Sequence, residues 1–547
     1  MPKTLAIYAI PDVNAQYPEF IHDHNLCIFE NGRIIKYLHL ERVTGKKYDN
    51  TLHKHLYRLL RSEGLLGEHF DMVSVDSVIG RSFICEQGKL RIEANPFDKL
   101  GAHEDPGLGY WLDRKTEGFA VRHELAHIFS AVPFYGLFRD NSLLVHFDGG
   151  ASVGNFSVWL WKDNQLSLLD YGWDLKHLSS LFNANALNFF ILGVKRKEHN
   201  SLPGKYMGFA GWGQYDARIE NWLRENNFFQ DIWQDKQHFF ASAEKQFGWK
   251  NHHFNTQDKF LQDIAATVQV YFTRELLNFF IKWQQKTNTD YLYYTGGSAL
   301  NLYVNTELWQ RKIFKDIFIP PATNDSGLSI GAGAFIEWKK GHEIQQHLPY
   351  LNNWELKSGP VIDNNEDIPE IAELLLENKV LGIFNGYGEA GPRALGNRSI
   401  IALPDNKALA KIVSQIKKER EWYRPVAPVM LEETAKKVTG LEHLPVMSQY
   451  MLTGLKILPQ YYSKLKGVIH KDGTSRIQVL FDRRQNPFLW DLLEYLYKKH
   501  DIYGLINTSF NAKGKPIVHF EHQAIGQARQ MSLDGIIING KLHKFSV

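Results

Sequence analysis

Hydrophobic and polar positions divide the chain into a few legible elements. Leu5 to Ile10 reads as a strand. Leu26 to Glu30, the pair Asn31-Gly32 and Arg33 to His39 read as a hairpin on a tight turn. A second apolar run, Leu143 to Phe147, ends in Asp148-Gly149-Gly150, and Val153 to Trp161 alternates after it, predicting another hairpin with a glycine turn. From Tyr215 to Lys245 and from Asp258 to Gln285 apolar residues recur at three and four, the spacing of amphipathic helices. The second of these feeds a strand, Tyr291 to Tyr294, that stops at Gly296-Gly297. Tyr350 to Pro369 is rich in Asn, Asp, Pro and Gly without periodicity and reads as a linker, which places a domain boundary near residue 360. Beyond it the pattern predicts a helix over Glu370 to Asn378, a strand over Val380 to Phe384, the glycine-rich GYGEAGPRALGNRS, a basic helix ending in KKEREWYRP, and a strand before NTSFN. No internal repeat of 20 to 50 residues is apparent.

Composition narrows the class. A chain of 547 residues holds several domains, and 44% hydrophobic with 22% charged residues is ordinary for a globular protein. A net charge of +3 supplies no broad cationic surface, so nucleic acid is not the expected partner. Two cysteines, Cys27 and Cys85, exclude a disulfide framework and fit a reducing, cytoplasmic setting. The opening MPKTLAIYAIPDV lacks a small-residue cleavage pattern, and no stretch nears 18 uninterrupted apolar residues; neither a signal peptide nor a membrane association is expected.

Four segments carry candidate chemistry. In HELAH, residues 123–127, His123 and His127 stand four apart on one helix face and can reach one metal ion. Read literally this is the zincin signature, with Glu124 activating zinc-bound water; no Glu follows between Leu125 and Arg196 to complete the ligand set, and position 133 is Pro. Two histidines satisfied in place on a helix face are the plain alternative. FDGG, Phe147 to Gly150, brings Asp148 and Gly149 to a strand end, as a phosphate- or metal-facing turn or simply as a hairpin turn. In TGGSALN, Gly296 and Gly297 allow close backbone approach to a ribose or phosphate. In NDSGLSIGAG, Asp325 precedes a helix of small residues, either facing a ligand or capping the helix.

Taken in order, these segments resemble the actin-like (ASKHA) layout, in which two related α/β halves hold a nucleotide between glycine turns. More specifically the chain resembles the O-carbamoyltransferase family of the NodU and CmcH type. His22 and Asp23 precede Gly32 as in the family's HDxSAxxxxxG opening, LERVTGKKY echoes EERFTRxKH, HELAH stands where the family has HHxAH, and PGKYMGFAGWG follows PGKxMGLAxYG. EAGPRALGNRSI, IKKEREWYRPVAPVM, HKDGTSRIQ and NTSFNAKGKPIV extend the likeness through the C-terminal part. Glu124 is the departure, replacing the family's second histidine.

The resemblance implies a duplicated actin-like α/β domain over 1–358 and a YrdC-like α/β domain over 359–547. It implies an ATP-dependent enzyme that forms carbamoyl-adenylate from carbamoyl phosphate and ATP, with Mg2+, and transfers the carbamoyl group to a hydroxyl or amine of a small natural-product or sugar acceptor, as a monomer or homodimer. A divalent ion, Fe(II) in the family, is expected on His123, His127 and Asp325. Asp148, Gly149, Gly296, Gly297 and Asn301 are expected toward the nucleotide, and His22 as general base. Arginine forks suit phosphate oxygens, so Lys417, Arg420 and Arg424 are expected to act in activation. Arg393, Arg398, Lys418 and Arg476, with Asn507, Ser509 and Asn511, are expected to bind the anionic substrates. A zinc metallopeptidase built on HELAH and a non-catalytic nucleotide-binding module are the competing readings.

Overall fold

The computed structural model of the chain describes residues 2–10, 21–80, 83–93, 107–184, 186–229 and 236–545. Parts of two stretches read from the sequence, the end of the N-terminal segment and residues 230–235 within 215–245, lie outside the described residues.

Three mixed sheets organise the molecule. The first contains β1 (Lys3–Tyr8), β2 (Asn25–Glu30), β3 (Arg33–His39), β4 (Phe70–Val75), β5 (Ile84–Cys85), β6 (Leu90–Glu93), β7 (Gly107–Trp111) and β8 (Arg114–Val121), in the order β3-β2-β1-β4-β8-β7-β6-β5. The second contains β9 (Ser142–Phe147), β10 (Phe156–Lys162), β11 (Gln165–Gly172), β12 (Tyr291–Thr295) and β13 (Asp316–Phe318), in the order β11-β10-β9-β12-β13. Both repeat one plan. An antiparallel triplet, β1 to β3 in one and β9 to β11 in the other, leads to strands running parallel to its first member, β4 and β8 in one, β12 and β13 in the other. This is the duplicated α/β architecture expected of the N-terminal part. The predicted first hairpin is present, and both turn residues, Asn31 (φ 48°) and Gly32 (φ 76°), take the left-handed conformation that a two-residue turn of matching twist requires.

The third sheet lies in the C-terminal part: β14 (Leu381–Phe384), β15 (Arg398–Ala402), β16 (Ala427–Leu431), β19 (Gln478–Leu480), β20 (Leu505–Ser509), β21 (Gly535–Ile538) and β22 (Lys541–Lys544), ordered β19-β16-β20-β15-β14-β21-β22. A small ribbon, β17 (Leu455–Lys456) and β18 (Thr474–Ser475), stands apart. The apolar core around the second sheet takes in Leu395, Tyr423 and Tyr450 from the C-terminal part. Residues 341–367 form no helix or strand, yet Trp354 is fully buried, and Asn352 and Asn353 accept hydrogen bonds from the backbone N–H groups of His39 and Tyr37.

Four elements differ from the sequence reading. The helix expected over 215–245 is two helices, Ala217–Glu225 and Lys236–Phe247; the first ends at Asn226, and Asn227 turns left-handed (φ 58°). The second predicted hairpin is present, β9 pairing antiparallel with β10, but its connection is the loop 148–155 rather than a short glycine turn. The basic helix Lys407–Lys411 continues only as a π turn over Ile412–Lys417 and stops at Glu419 (φ 46°), so KKEREWYRP is largely loop. NTSFN begins inside β20 instead of following it.

Small residues set the distance between two helices that matter for the site. A Cβ on Gly331, within the helix Leu328–Lys339, would lie 1.7 Å from the Ala126 carbonyl oxygen of the helix His123–Phe129. Only glycine admits that approach, and it brings the segment before the second helix, with Asp325, up to the histidine face of the first.

Candidate active site

His123 and His127 point their Nε2 atoms at one another across 3.1 Å, and each lies 3.5 Å from Asp325 Oδ1. Asp148 Oδ2 stands 3.6 Å from His127 Nε2, held by the Gly297 N–H at 2.6 Å. All three members of the expected metal set are buried. Two imidazole nitrogens and a carboxylate oxygen converging at this spacing form a donor set that fits a divalent first-row ion. Asp325 is oriented by Tyr8, whose hydroxyl donates to Oδ2 at 3.0 Å, and by Asn25, whose amide donates to its carbonyl at 2.9 Å. Burial alone would depress His123, but the Asp325 carboxylate outweighs it and lifts the ring to about 9; the same histidines hold Asp325 well below the usual carboxylate range despite its burial. His146, one strand position before Phe147, stacks on His127 with centroids 4.8 Å apart; burial and the two neighbouring rings keep it neutral.

His22 lies at the rim of this cluster. Its Nδ1 is 3.0 Å from Asp23 Oδ2, and Asp23 also meets His39 Nε2 at 3.2 Å and accepts from Asn324 at 2.7 Å. Burial opposes protonation of His22, yet Asp23 raises it to about 10, so in this arrangement the imidazole carries its proton at neutral pH. A base role requires the proton to leave toward Asp23 or a bound cation to lower that affinity.

Glu124 does not face the histidine nitrogens. Its Oε1 accepts from three consecutive backbone N–H groups, Ser152 at 2.9 Å, Val153 at 2.8 Å and Gly154 at 3.2 Å. A water-activating base as in a zincin is therefore not what this carboxylate is built for. Asn301, expected toward adenosine, caps the helix Leu302–Gln310 through its side-chain oxygen. Gly296 (φ 95°) has no room for a side chain, a Cβ there meeting the Phe147 carbonyl at 2.2 Å.

A second cluster is cationic. Arg393, Arg420, Arg424, Arg476 and Lys418 line one cavity of about 2420 Å³, together with Asn507, Ser509 and Asn511. Burial and the Arg424 charge push Arg393 down to about 10, and burial with Arg424 and Arg393 pushes Arg420 to about 9. The charged groups acting on Arg476 beside its burial are three further arginines, Arg393, Arg420 and Arg424. Guanidinium groups keep their protons at neutral pH, so this is a block of positive charge short of anions. Lys418 donates to the Asn511 carbonyl at 2.7 Å and side-chain oxygen at 2.9 Å, and Asn507 donates to Gln478 at 2.6 Å while its own Oδ1 lacks a partner.

Two expected cations turn elsewhere. Arg398 is fully buried under the sheet, donating to the Asn385, Gly386 and Asn397 carbonyls and lying 3.8 Å over the Phe384 ring; it braces the glycine-rich segment and does not line the cavity. Lys417 donates to the Ser532 carbonyl, because the π turn rotates it away from Lys418. Among the cations unassigned in the sequence reading that line the cavity are Lys47, from LERVTGKKY, and Lys205, from PGKYMGFAGWG, which pairs with Glu421 at 2.8 Å.

His22, His123, Asp148 and Asp325 line the same cavity as the arginines. The fold and the site together define an α/β enzyme with a candidate metal centre and a cluster of arginines in one chamber. The chain belongs to the carbamoyltransferase family: the carbamoyltransferase N-terminus profile matches residues 111–334 and the carbamoyltransferase C-terminus profile matches residues 372–544. Among its relatives, nodulation protein NolNO of Sinorhizobium fredii is 25% identical, over 96% of this chain and 79% of that protein. Nodulation protein U of Azorhizobium caulinodans is 24% identical, over 90% and 92%. An uncharacterized protein of Methanocaldococcus jannaschii is 29% identical, over 77% and 73%. Among solved structures, full-length HypF in its phosphate- and nucleotide-bound form aligns with a TM-score of 0.31 at 12% identity, covering 63% of this chain and 56% of that one.

Proposed function

We propose that this carbamoyltransferase activates carbamoyl phosphate with ATP at the arginine cluster and transfers the carbamoyl group, at the histidine cluster, to a hydroxyl or amine of a small natural product or sugar. The observation that supports it is the shared cavity: a cationic block short of anions and a His/His/Asp donor set open into one space. Residues 1–358 would form the transferring unit and 359–547 the activating unit. Both cysteines are buried and free, in keeping with a reducing cytoplasm, and among the described residues no helix is long and apolar enough to cross a membrane.

In activation, a carbamate oxygen attacks the α-phosphorus of ATP, the α–β bond breaks and pyrophosphate leaves. Overall, carbamoyl phosphate, ATP and one water give carbamoyl-adenylate, pyrophosphate and phosphate. Arg393, Arg420, Arg424 and Arg476 receive the phosphate oxygens and offset the charge that moves onto pyrophosphate. Asn507 and Ser509 offer neutral groups to the carbamoyl amide. A divalent ion on His123, His127 and Asp325, with Asp148 beside them, would supply Lewis-acid polarisation; iron is the family expectation for its identity. Once its own proton has moved to Asp23, His22 takes the acceptor proton as the carbamoyl–oxygen bond forms and AMP leaves, with His39 behind the pair.

The peptidase alternative requires Glu124 to meet a water, whereas its side chain is fully buried, with Oε1 held by three N–H groups and Oε2 enclosed without a partner. Pyrophosphate release from ATP with carbamoyl phosphate, and no acceptor, tests the proposal. Wild type should release it, and Arg420→Ala should lose the activity by about 100-fold; no release by wild type would refute activation.

A further inference from the structure

Loop 148–155 carries Asp148 and joins β9 to β10; its end is tied to the sheet by the Asn155 N–H donating to the Gly172 carbonyl at 2.7 Å, and the Val78 N–H donates to the Ala151 carbonyl at 3.1 Å. Asp148 N–H donates to the Asn155 carbonyl at 2.9 Å, and Ala151 N–H to that of Gly154 at 2.9 Å. The remaining N–H groups of its middle, at Ser152, Val153 and Gly154, all turn to Glu124. Ser152 is tied further: its hydroxyl donates to Asp76, which also accepts the His123 N–H at 3.0 Å and pairs with Arg122 at 2.7 Å. Gly154 sits where a Cβ would meet the Gly172 carbonyl at 2.3 Å, so the loop closes against the sheet while being drawn onto the histidine helix.

We propose that Glu124 is a positioning residue that presents Asp148 to the metal centre. In place of the family's second histidine, a fully buried carboxylate one residue from His123 gathers three N–H groups into an anion-binding cradle and fixes the loop whose first residue stands 3.6 Å from His127 Nε2. An imidazole nitrogen accepts along one direction; a carboxylate oxygen accepts from several. Glu124 thereby couples loop and helix, so that the fourth candidate ligand and the two histidines move as one body. The inference rests on the metal reading of His123, His127 and Asp325.

Titration of the metal-free full chain with Co2+ alone, followed by visible absorption, tests it on wild type, Glu124→Gln, Glu124→Ala, Asp148→Asn and the Glu124→Ala/Asp148→Asn pair. Glu124→Ala should weaken Co2+ binding by about 10- to 100-fold. Glu124→Gln should stay within about 3-fold, because its oxygen still accepts and its amide nitrogen takes the place of Oε2, which has no partner to lose. The double variant should bind no more than about 2-fold worse than Asp148→Asn, since both changes remove one interaction. Should Glu124→Ala fail to fold, Glu124→Asp, a methylene short of the cradle, is expected to weaken binding in the same direction. Unchanged affinity in the Ala or Asp variant, multiplicative effects in the pair, or a Gln variant as weak as Ala would each overturn the proposal. No Co2+ binding by wild type would instead refute the metal reading beneath it.

Discussion

The two ends of the cavity solve opposite electrostatic problems. At the histidine end the charges are matched: imidazoles face Asp325 and Asp148, Asp23 sits between His22 and His39, and the two central histidines ride on one helix. At the arginine end they are not. Arg393, Arg420 and Arg476 repel one another from loops, and Glu421, the acid acting on Arg420, is shared with Lys205 and Arg424. A matched cluster is stable without a ligand and can hold a small cation, whereas an unmatched one would be relieved of its repulsion by a polyanion. On the proposed function, the unmatched end would serve activation and the matched end transfer.

Swapping defects between the ends should give the largest effects. Asp325→Ala should abolish Co2+ binding and reduce acceptor carbamoylation by about 1,000-fold, measured by product formation, with acceptor-free pyrophosphate release within about 3-fold of wild type. Arg398 and Lys417 sharpen the arginine end by contrast. Arg398→Ala strips hydrogen bonds from three carbonyls and should cost about 3 kcal/mol in denaturant unfolding, whereas Lys417→Ala, outside the cavity, should leave pyrophosphate release within about 2-fold. Acid should destabilise the whole frame. Burial holds His24 and His519 neutral down to about 3, while the unfolded chain protonates near 6.5; stability present above pH 6.5 is lost as pH falls toward 3, seen as a falling Tm.

Much of this was legible because it was local. The hairpin at Asn31-Gly32, the long helix and the i, i+4 histidines follow from periodicity and turn chemistry, and Asp325 from its place before a small-residue helix. The duplication of the first two sheets was expected only through the family resemblance, because it lives in strand order, not in repeated residues. Lys417 and Lys418 are indistinguishable in sequence, and the π turn that separates them has no composition of its own. Arg398 reads like its neighbours until burial turns it into a brace. Tyr8 and His146 are single residues in apolar strands, placed at the site only by the pairing of distant segments. Glu124 stood out as a departure, but its three N–H partners lie some thirty residues on, across a loop read as a tight turn.

The most direct measurement compares Arg420→Ala with His123→Ala for acceptor-free pyrophosphate release from ATP and carbamoyl phosphate. The account predicts about a 100-fold loss in the first and near wild-type release in the second. Equal loss in both, or loss only in His123→Ala, would contradict the division of labour between the two ends.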